Sequence, residues 1–169
     1  MVKIEKIRSI LRIIYETTMD TKYDNIMQQT LDIDWFMIDR KGNIAHFASG
    51  GSILPESVAY SIENNETLHK YFSSIKESVE VIIHENNPKA KLTDSFAQMA
   101  EKGLFSFDVE NAGEFASTNY VKVVSPKKPL NINELPTEIA SILIKTQTKE
   151  IDFDSENSLD WRKVYRRTL

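Results

Sequence analysis

The segment Asp32–Ser57, which reads DIDWFMIDRKGNIAHFASGGSILPES, constrains the fold of this 169-residue chain more than any other stretch. Two runs of strand-forming residues, Leu31–Asp39 and Ile44–Ala48, flank a short polar loop in which Gly42 suits a positive φ. Because apolar side chains occupy successive positions in both runs, we predict a central β-hairpin covered on both faces. A Gly-Gly turn follows, and then Pro55, which suits the first turn of a helix because it lacks an N–H.

The rest of the chain mixes helical and strand-like patterns. Apolar residues at helical spacing predict an amphipathic helix over residues 1–18. Caps, breakers and apolar spacing predict further helices over residues 55–63, from Thr93 or Asp94 to Lys102, and beyond Asn133. A longer helix is predicted from Asn64 or Asn65 to a point before Pro88, and its inward side chains are Leu68, Phe72, Ile75, Val79 and Ile82. Runs of strand formers predict strands at Leu104–Val109, at Tyr120–Val124, and around Ile151 and Phe153.

Interspersed helices and strands with an early hairpin are typical of an α+β protein with a mostly antiparallel sheet. No composition shift divides the chain, so residues 1–169 are expected to form a single domain. Residues 155–169 are predicted to be a charged C-terminal tail. Trp161 and Tyr165 leave a second interpretation open, in which this tail packs back on the domain.

Composition narrows the classes of function. The formal net charge is −4, and nucleic acid is therefore an unexpected partner, since duplex binding depends on clustered lysine and arginine. The chain contains no cysteine, which excludes disulfides, thiolate metal sites and cysteine nucleophiles and favours a cytoplasmic location. No run approaches the ~20 apolar residues that a membrane span requires, and charges interrupt the N-terminal apolar positions where a secretory signal would need continuity.

Four side chains on the hairpin are candidates for chemistry, because Asp and His close together can bind a metal or act as a base and its orienting group. They are Asp32, Asp34, Asp39 and His46. Asp39 also stands where a turn favours Asp, since its carboxylate can accept backbone N–H bonds, and that structural role is the stronger expectation. No metal site and no cofactor is predicted, because His69 and His84 fall at no zinc-binding spacing.

The turn Ser49-Gly50-Gly51-Ser52 is the second candidate. Two glycines let the backbone approach a ligand, and successive N–H groups can bind an anion. The turn lacks the lysine and the spacing of a nucleotide-binding loop, so a plain strand-to-helix turn is the stronger expectation. Trp35 completes the predicted binding set, because aromatic anchors often dominate protein interfaces.

The hairpin and its flanks resemble a pattern of small, mostly uncharacterised bacterial proteins. The resemblance is carried by DWFMIDRKGNIAHFASGGSILPES, with the later pieces GLFSFDVE and YVKVVSPKKPLNINELPTEI in the same order. Some proteins of this kind are immunity-type proteins that accompany bacterial toxins. The resemblance implies a binding role and assigns no catalytic residue.

Three hypotheses follow for function. The first is a non-enzymatic protein-binding module, in its concrete form an immunity-type protein whose acidic surface attracts a basic toxin. Its candidate surfaces are the acidic stretch Asp152–Asp160 and the loop Ser49–Ser52 with Trp35 nearby. The second is a small-molecule-binding domain or small enzyme that uses His46, Asp39 and the Gly-Gly turn. The third is a structural subunit that self-associates through its N-terminal helix.

Overall fold

The computed structural model describes residues 21–85 and 94–167, together with Ile7. In chain order the elements are α1 (Asn25–Thr30), β1 (Asp34–Ile38), β2 (Ile44–Ala48), α2 (Glu56–Ala59), α3 (Ile62–Ser74), β3 (Val81–Ile83), α4 (Asp94–Glu101), β4 (Phe105–Val109), β5 (Asn119–Pro126), a 3-10 turn (Ile132–Glu134), α5 (Thr137–Leu143), β6 (Thr146–Thr148), β7 (Ser158–Asp160), α6 (Trp161–Val164) and β8 (Tyr165–Arg167). The helix predicted over residues 1–18 lies, apart from Ile7, outside the described residues.

The predicted hairpin is confirmed. β1 and β2 pair antiparallel, with Phe36 opposite His46 and Ile38 opposite Ile44. Gly42 adopts the expected positive φ of 83° at the turn. The strands lie in the middle of one sheet of order β3-β5-β4-β2-β1-β6-β8, with β7 added along β5. Two strand pairs are parallel, β1 with β6 and β2 with β4, and the other pairs are antiparallel, so the predicted α+β class is confirmed.

Alternation along the hairpin sorts its side chains onto two buried faces. One face is aromatic and includes Trp35, Phe47, Phe107, Tyr120 and Phe153. On the other face the apolar side chains of α3 and α5 pack on the hairpin; this cluster includes Phe36, Ile38, Ile44, Leu68, Phe72, Ile139 and Leu143. Such two-sided burial explains why apolar residues in the hairpin follow one another without strict alternation with polar ones.

The predicted long helix before Pro88 is only partly right. α3 begins after Ser61, whose hydroxyl accepts a hydrogen bond from the Asn64 backbone N–H, rather than at Asn64 or Asn65. It ends at Ser74, and β3 follows at Val81–Ile83. Val79 and Ile82 therefore do not belong to the helix. β-Branched residues suit a strand at least as well as a helix, and pairing with β5 decides between the two here.

The predicted helix beyond Asn133 also begins later. Asn131 caps the short 3-10 turn, and Glu134 returns a hydrogen bond to the Asn131 backbone N–H. α5 then starts at Thr137 after Pro136, and Ile139 and Leu143 are buried as expected. Asn133, the predicted cap, lies inside the 3-10 turn, and Pro136 takes the N-cap position of α5.

The C-terminal stretch contributes to the sheet and to the core. The strand expected around Ile151 and Phe153 is wrong, because Phe153 lies in a turn that fills the aromatic face. Strands form instead at β6, β7 and β8, and Trp161 is buried with Leu159 in the same aromatic cluster. Trp161 therefore packs back on the domain, as the second interpretation of the tail predicts.

A buried lysine holds the turn around Phe153 against β5. The Lys122 ammonium donates to the carbonyl oxygens of Phe153 at 2.9 Å and Asp154 at 3.0 Å. Burial lowers the pKa of Lys122, although the charges of Asp154 and Glu156 act in the opposite direction. Carbonyl partners of this kind are what allow an ammonium group to lie in a protein interior.

Candidate functional site

Asp34 and His46 meet on the helix-covered face of the hairpin. Asp34 begins β1, and Phe36, two residues later, points to the same face of the sheet. His46 lies on β2 directly opposite Phe36, so its side chain is on that face as well. His46 Nε2 lies 2.8 Å from Asp34 Oδ1. Because an ionised carboxylate only accepts hydrogen bonds, Nε2 carries the proton and donates it.

A second histidine reaches the same carboxylate from α3. Asn65 and His69 are one helical turn apart and project from the same side of this helix. Asn65 donates from Nδ2 to the Asp34 backbone carbonyl at 2.7 Å, which ties the helix to the strand. His69 Nε2 then lies 3.2 Å from Asp34 Oδ2. One carboxylate is thus shared by two imidazoles, of which His46 is 2% exposed and His69 is 46% exposed.

The two histidines hold Asp34 in its charged form. Partial burial raises the pKa of Asp34, but the hydrogen bond and charge of His46, followed by those of His69, outweigh it and lower the pKa below its ordinary value.

His46 is confined on its other side. Its ring lies 5.9 Å from that of Phe36 and 5.8 Å from that of Phe96. Within the described part of the chain, His46 Nδ1 has no hydrogen-bond partner. The Nδ1 side of the His46 ring therefore lies among aromatic side chains, and Nε2 is the ring nitrogen that bonds Asp34.

Asp34 and His69 border an open groove of about 380 Å³ between α1, the start of β1 and α3. Its apolar lining comes from Tyr23, Met27, Leu31, Ile33 and Ile62, and its polar lining from Asp32, Asp34, Asn65, Glu66 and His69. No lysine or arginine is among the described residues that line it. We refer to these ten residues as the α1–α3 groove, and its lining is apolar and negatively charged.

The structure places Trp35 on the opposite face of the hairpin from His46. Its ring stacks on Phe47 with centroids 4.2 Å apart, and its indole N–H donates to the Tyr120 hydroxyl at 3.3 Å. The side chain is fully buried. Trp35 is therefore part of the core and presents no surface to a partner.

The turn Ser49–Ser52 is bonded to its own chain. The Ile33 N–H donates to Ser49 Oγ at 2.7 Å, and the Gly50 N–H donates to Asp32 Oδ1 at 2.8 Å. The Ser52 hydroxyl donates to the Ser49 carbonyl at 2.6 Å. Gly51 adopts a φ of 82°, and a Cβ at this position would lie only 2.9 Å from the Gln29 carbonyl oxygen. The backbone of Gln29 thus explains Gly51, and Gly50 is explained by its φ of 52° and by Val109, whose Cγ1 lies 2.7 Å from where a Cβ would be, without a ligand.

Asp39 organises the hairpin turn and its junction with the turn around Phe153. Its Oδ1 accepts from the backbone N–H groups of Lys41 and Asn43, both at 2.9 Å, and its Oδ2 accepts from that of Phe153 at 2.9 Å. The carboxylate is buried and fully engaged in these bonds. The structural role expected for Asp39 therefore accounts for its contacts.

The predicted site residues do not converge on one place. Asp39 lies at the turn between β1 and β2, whereas Ser49–Ser52 lies at the other end of the hairpin, and Trp35 and His46 point to opposite faces. The structure brings together Asp34 and His46, two of the four hairpin candidates, with His69, which the sequence analysis had treated as isolated. The only signal for His69 was its position one helical turn from Asn65, on a helix whose docking partner was unknown.

Chemically, the arrangement offers an oriented imidazole beside an acidic groove. Among the described residues, no group of three or more His, Cys, Asp or Glu side chains is arranged to hold a metal ion. None of the helices in that part of the chain combines the length and the apolar character needed to cross a bilayer.

Comparison with known proteins adds no relative. No family model matches the chain, and neither a curated protein nor a solved structure is detectably similar to it.

The lowered pKa of Asp34 predicts an acid-dependent contribution to stability. A carboxyl whose folded pKa is depressed stabilises the fold above its unfolded value, near 3.9, and loses this contribution as pH falls through the folded pKa. We expect Asp34→Asn to lower the free energy of unfolding by about 1 kcal/mol at pH 7, a value discounted because the carboxylate is partly exposed. Urea unfolding at pH 3 to 7 should show the gap between the two proteins closing below about pH 4. Glu110→Gln, at an exposed position outside the groove, is the control, and a gap that stays constant down to pH 3 would contradict the charge-based explanation.

Proposed function

We propose that this protein works by binding another protein, and that the α1–α3 groove receives a basic segment of that partner. The observation that carries the proposal is the combination of apolar walls with Asp32, Asp34 and Glu66, in a lining whose described residues include no lysine or arginine. Apolar area supplies affinity in protein interfaces, and charge complementarity supplies association rate and specificity.

Several features of the chain support a basic partner. The net charge of −4 adds a long-range attraction that falls with ionic strength. Leu31 is 44% exposed at the edge of the groove, so apolar surface is available for contact. An immunity-type protein that neutralises a basic bacterial toxin is the concrete form of this proposal, in keeping with the resemblance of the hairpin segment. The proposal includes a cytoplasmic location, which suits a chain without cysteine.

A second candidate function uses the same groove for a small molecule. Asp34 orients the exposed imidazole of His69, an arrangement that can assist proton transfer to or from a bound substrate. This alternative predicts that small ligands alone shift the resonances of His69, whereas the protein-binding proposal requires a macromolecular partner.

The proposal predicts that reversing a charge or removing apolar surface in the groove weakens partner capture. The tagged intact protein would be used to retain proteins from its native host, with quantitative mass spectrometry of the bound fraction. We expect Glu66→Lys and Leu31→Ser each to weaken retention of a stoichiometric partner by about tenfold or more at low salt, since the first repels a basic segment and the second removes apolar contact. Purified components should then give the same order of affinities.

Glu138→Lys is the matched control. Glu138 is an exposed glutamate on α5 outside the groove, so the same charge change should leave retention unchanged. Equal retention by wild type, Glu66→Lys and Leu31→Ser would reject the groove as the binding surface. Inhibition of the retained partner by the wild-type protein, lost in Glu66→Lys, would support the immunity-type form.

A further inference from the structure

The two contacts of Asp34 differ in how easily they can be exchanged. His46 is buried between aromatic rings and bonds Oδ1 at 2.8 Å. His69 is half-exposed and lies at the longer distance of 3.2 Å from Oδ2. Rotation of His69 toward solvent would leave Oδ2 open to the groove while His46 still holds the carboxylate in place.

We propose that the α1–α3 groove selects an arginine side chain of the partner, which takes the place of His69 at Asp34, so that His69 acts as a proton-controlled gate. This inference rests on the proposed function and specifies what the groove recognises. A guanidinium has a planar set of donors that matches a carboxylate, and it is more weakly hydrated than an ammonium. Its aliphatic stem suits the apolar lining, since long cationic side chains lay their methylenes along apolar surface.

The gate follows from the unequal exposure of the two histidines. His46 is enclosed among aromatic rings, whereas His69 is half-exposed in the lining of the groove. Histidine is the side chain that changes charge between pH 5 and 8. The titratable groups that line the groove with His69 are Asp32 before β1, Asp34 in β1, Glu66 on α3 and Tyr23 before α1, and His46 on β2 bonds the same Asp34 carboxylate.

A charged His69 would therefore bind Asp34 more strongly and reduce the negative charge of the groove. Both effects oppose the entry of a second cation, so binding of arginine weakens as pH falls.

Two peptides that differ only in charge test the inference: acetyl-Leu-Arg-Leu-amide and the same peptide with neutral citrulline. Binding to the full chain would be followed by NMR titration of the amide signals. At pH 7.5 and low salt we expect the arginine peptide to bind about fivefold more tightly, the ratio that one partly exposed ion pair supplies. The ratio should fall toward one at pH 5.5. In His69→Gln it should persist at pH 5.5, and in Asp34→Asn it should be lost at both pH values.

His84→Gln is the histidine control, because His84 bonds Ser125 on β5 and does not line the groove. If Asp34→Asn fails to fold, Glu66→Gln, at an exposed position, tests the same requirement for negative charge. Equal affinities of the two peptides for the groove would overturn the inference while leaving the groove as a binding surface. No shift of groove signals at millimolar peptide, or a ratio independent of pH, would also overturn it, whereas the proposed function is decided separately by partner capture with Glu66→Lys.

Discussion

Replacing Trp35 by alanine is expected to lower the free energy of unfolding by about 3–5 kcal/mol. The indole is fully buried, stacks on Phe47 and meets Tyr120 edge-on at 5.7 Å. Its removal leaves a cavity in a sheet face that is otherwise filled by rigid aromatic rings, which cannot collapse far. It also removes the donor to the Tyr120 hydroxyl, a buried group that Ser52 would then have to satisfy alone. Urea unfolding followed by circular dichroism measures the effect.

Trp35→Phe separates packing from hydrogen bonding. It keeps a ring against Phe47 and loses the indole N–H, so we expect a smaller loss, on the order of 1–2 kcal/mol. The pKa of Tyr120 is raised to about 12, chiefly by burial, while the hydrogen bond from Trp35 lowers it, so loss of that bond in Trp35→Phe should raise the pKa of Tyr120 further. A loss below about 1 kcal/mol in Trp35→Ala would mean that the aromatic face is not the principal core.

Replacing Asp39 by alanine is expected to destabilise the fold by about 2–4 kcal/mol, because three backbone N–H groups lose their acceptor at once. Two of them, from Lys41 and Asn43, close the hairpin turn, and the third, from Phe153, joins that turn to a segment more than a hundred residues later. Hydrogen exchange should show the Phe153 amide losing protection earliest, since this bond has no backbone acceptor to replace it.

Glu110→Ala is the control for the Asp39 variant, since it removes an exposed carboxylate and should change stability by less than about 0.5 kcal/mol. If Asp39→Ala is as stable as wild type, the turn must be held by its chain geometry alone. The outcome also bears on function: a loss of partner capture in Asp39→Ala or Trp35→Ala would reflect unfolding unless stability is measured on the same sample.

Local patterns in the sequence were sufficient for the hairpin. Gly42 marks a turn that needs a positive φ, and Asp39 marks the carboxylate that accepts the N–H groups of that turn. Both signals act within five residues, so no distant partner was needed to interpret them. Burial of both hairpin faces was also predicted from a local signal, namely apolar side chains at successive positions.

Patterns that depend on a distant partner were not sufficient. Val79 and Ile82 continue the apolar spacing of α3, yet the chain leaves the helix because β5 offers a strand edge to Val81–Ile83. Short strands such as β6 and β7 contain too few residues for alternation to be recognised, and they exist through pairing with β1 and β5.

The candidate site also combines features that local sequence determines with features that depend on distant partners. The sequence by itself determined the hairpin, the two-sided core and the presence of Asp34 and His46 on neighbouring strands, because strand pairing across a short turn fixes which segments are neighbours. Only the tertiary structure decided that Trp35 and His46 lie on opposite faces of a covered sheet, that Asp39 and the Gly-Gly turn are far apart, and that His69 reaches Asp34. That last contact depends on how α3 docks on β1 through Asn65, and the docking of a helix is set by the whole packed surface beneath it rather than by any spacing along the chain.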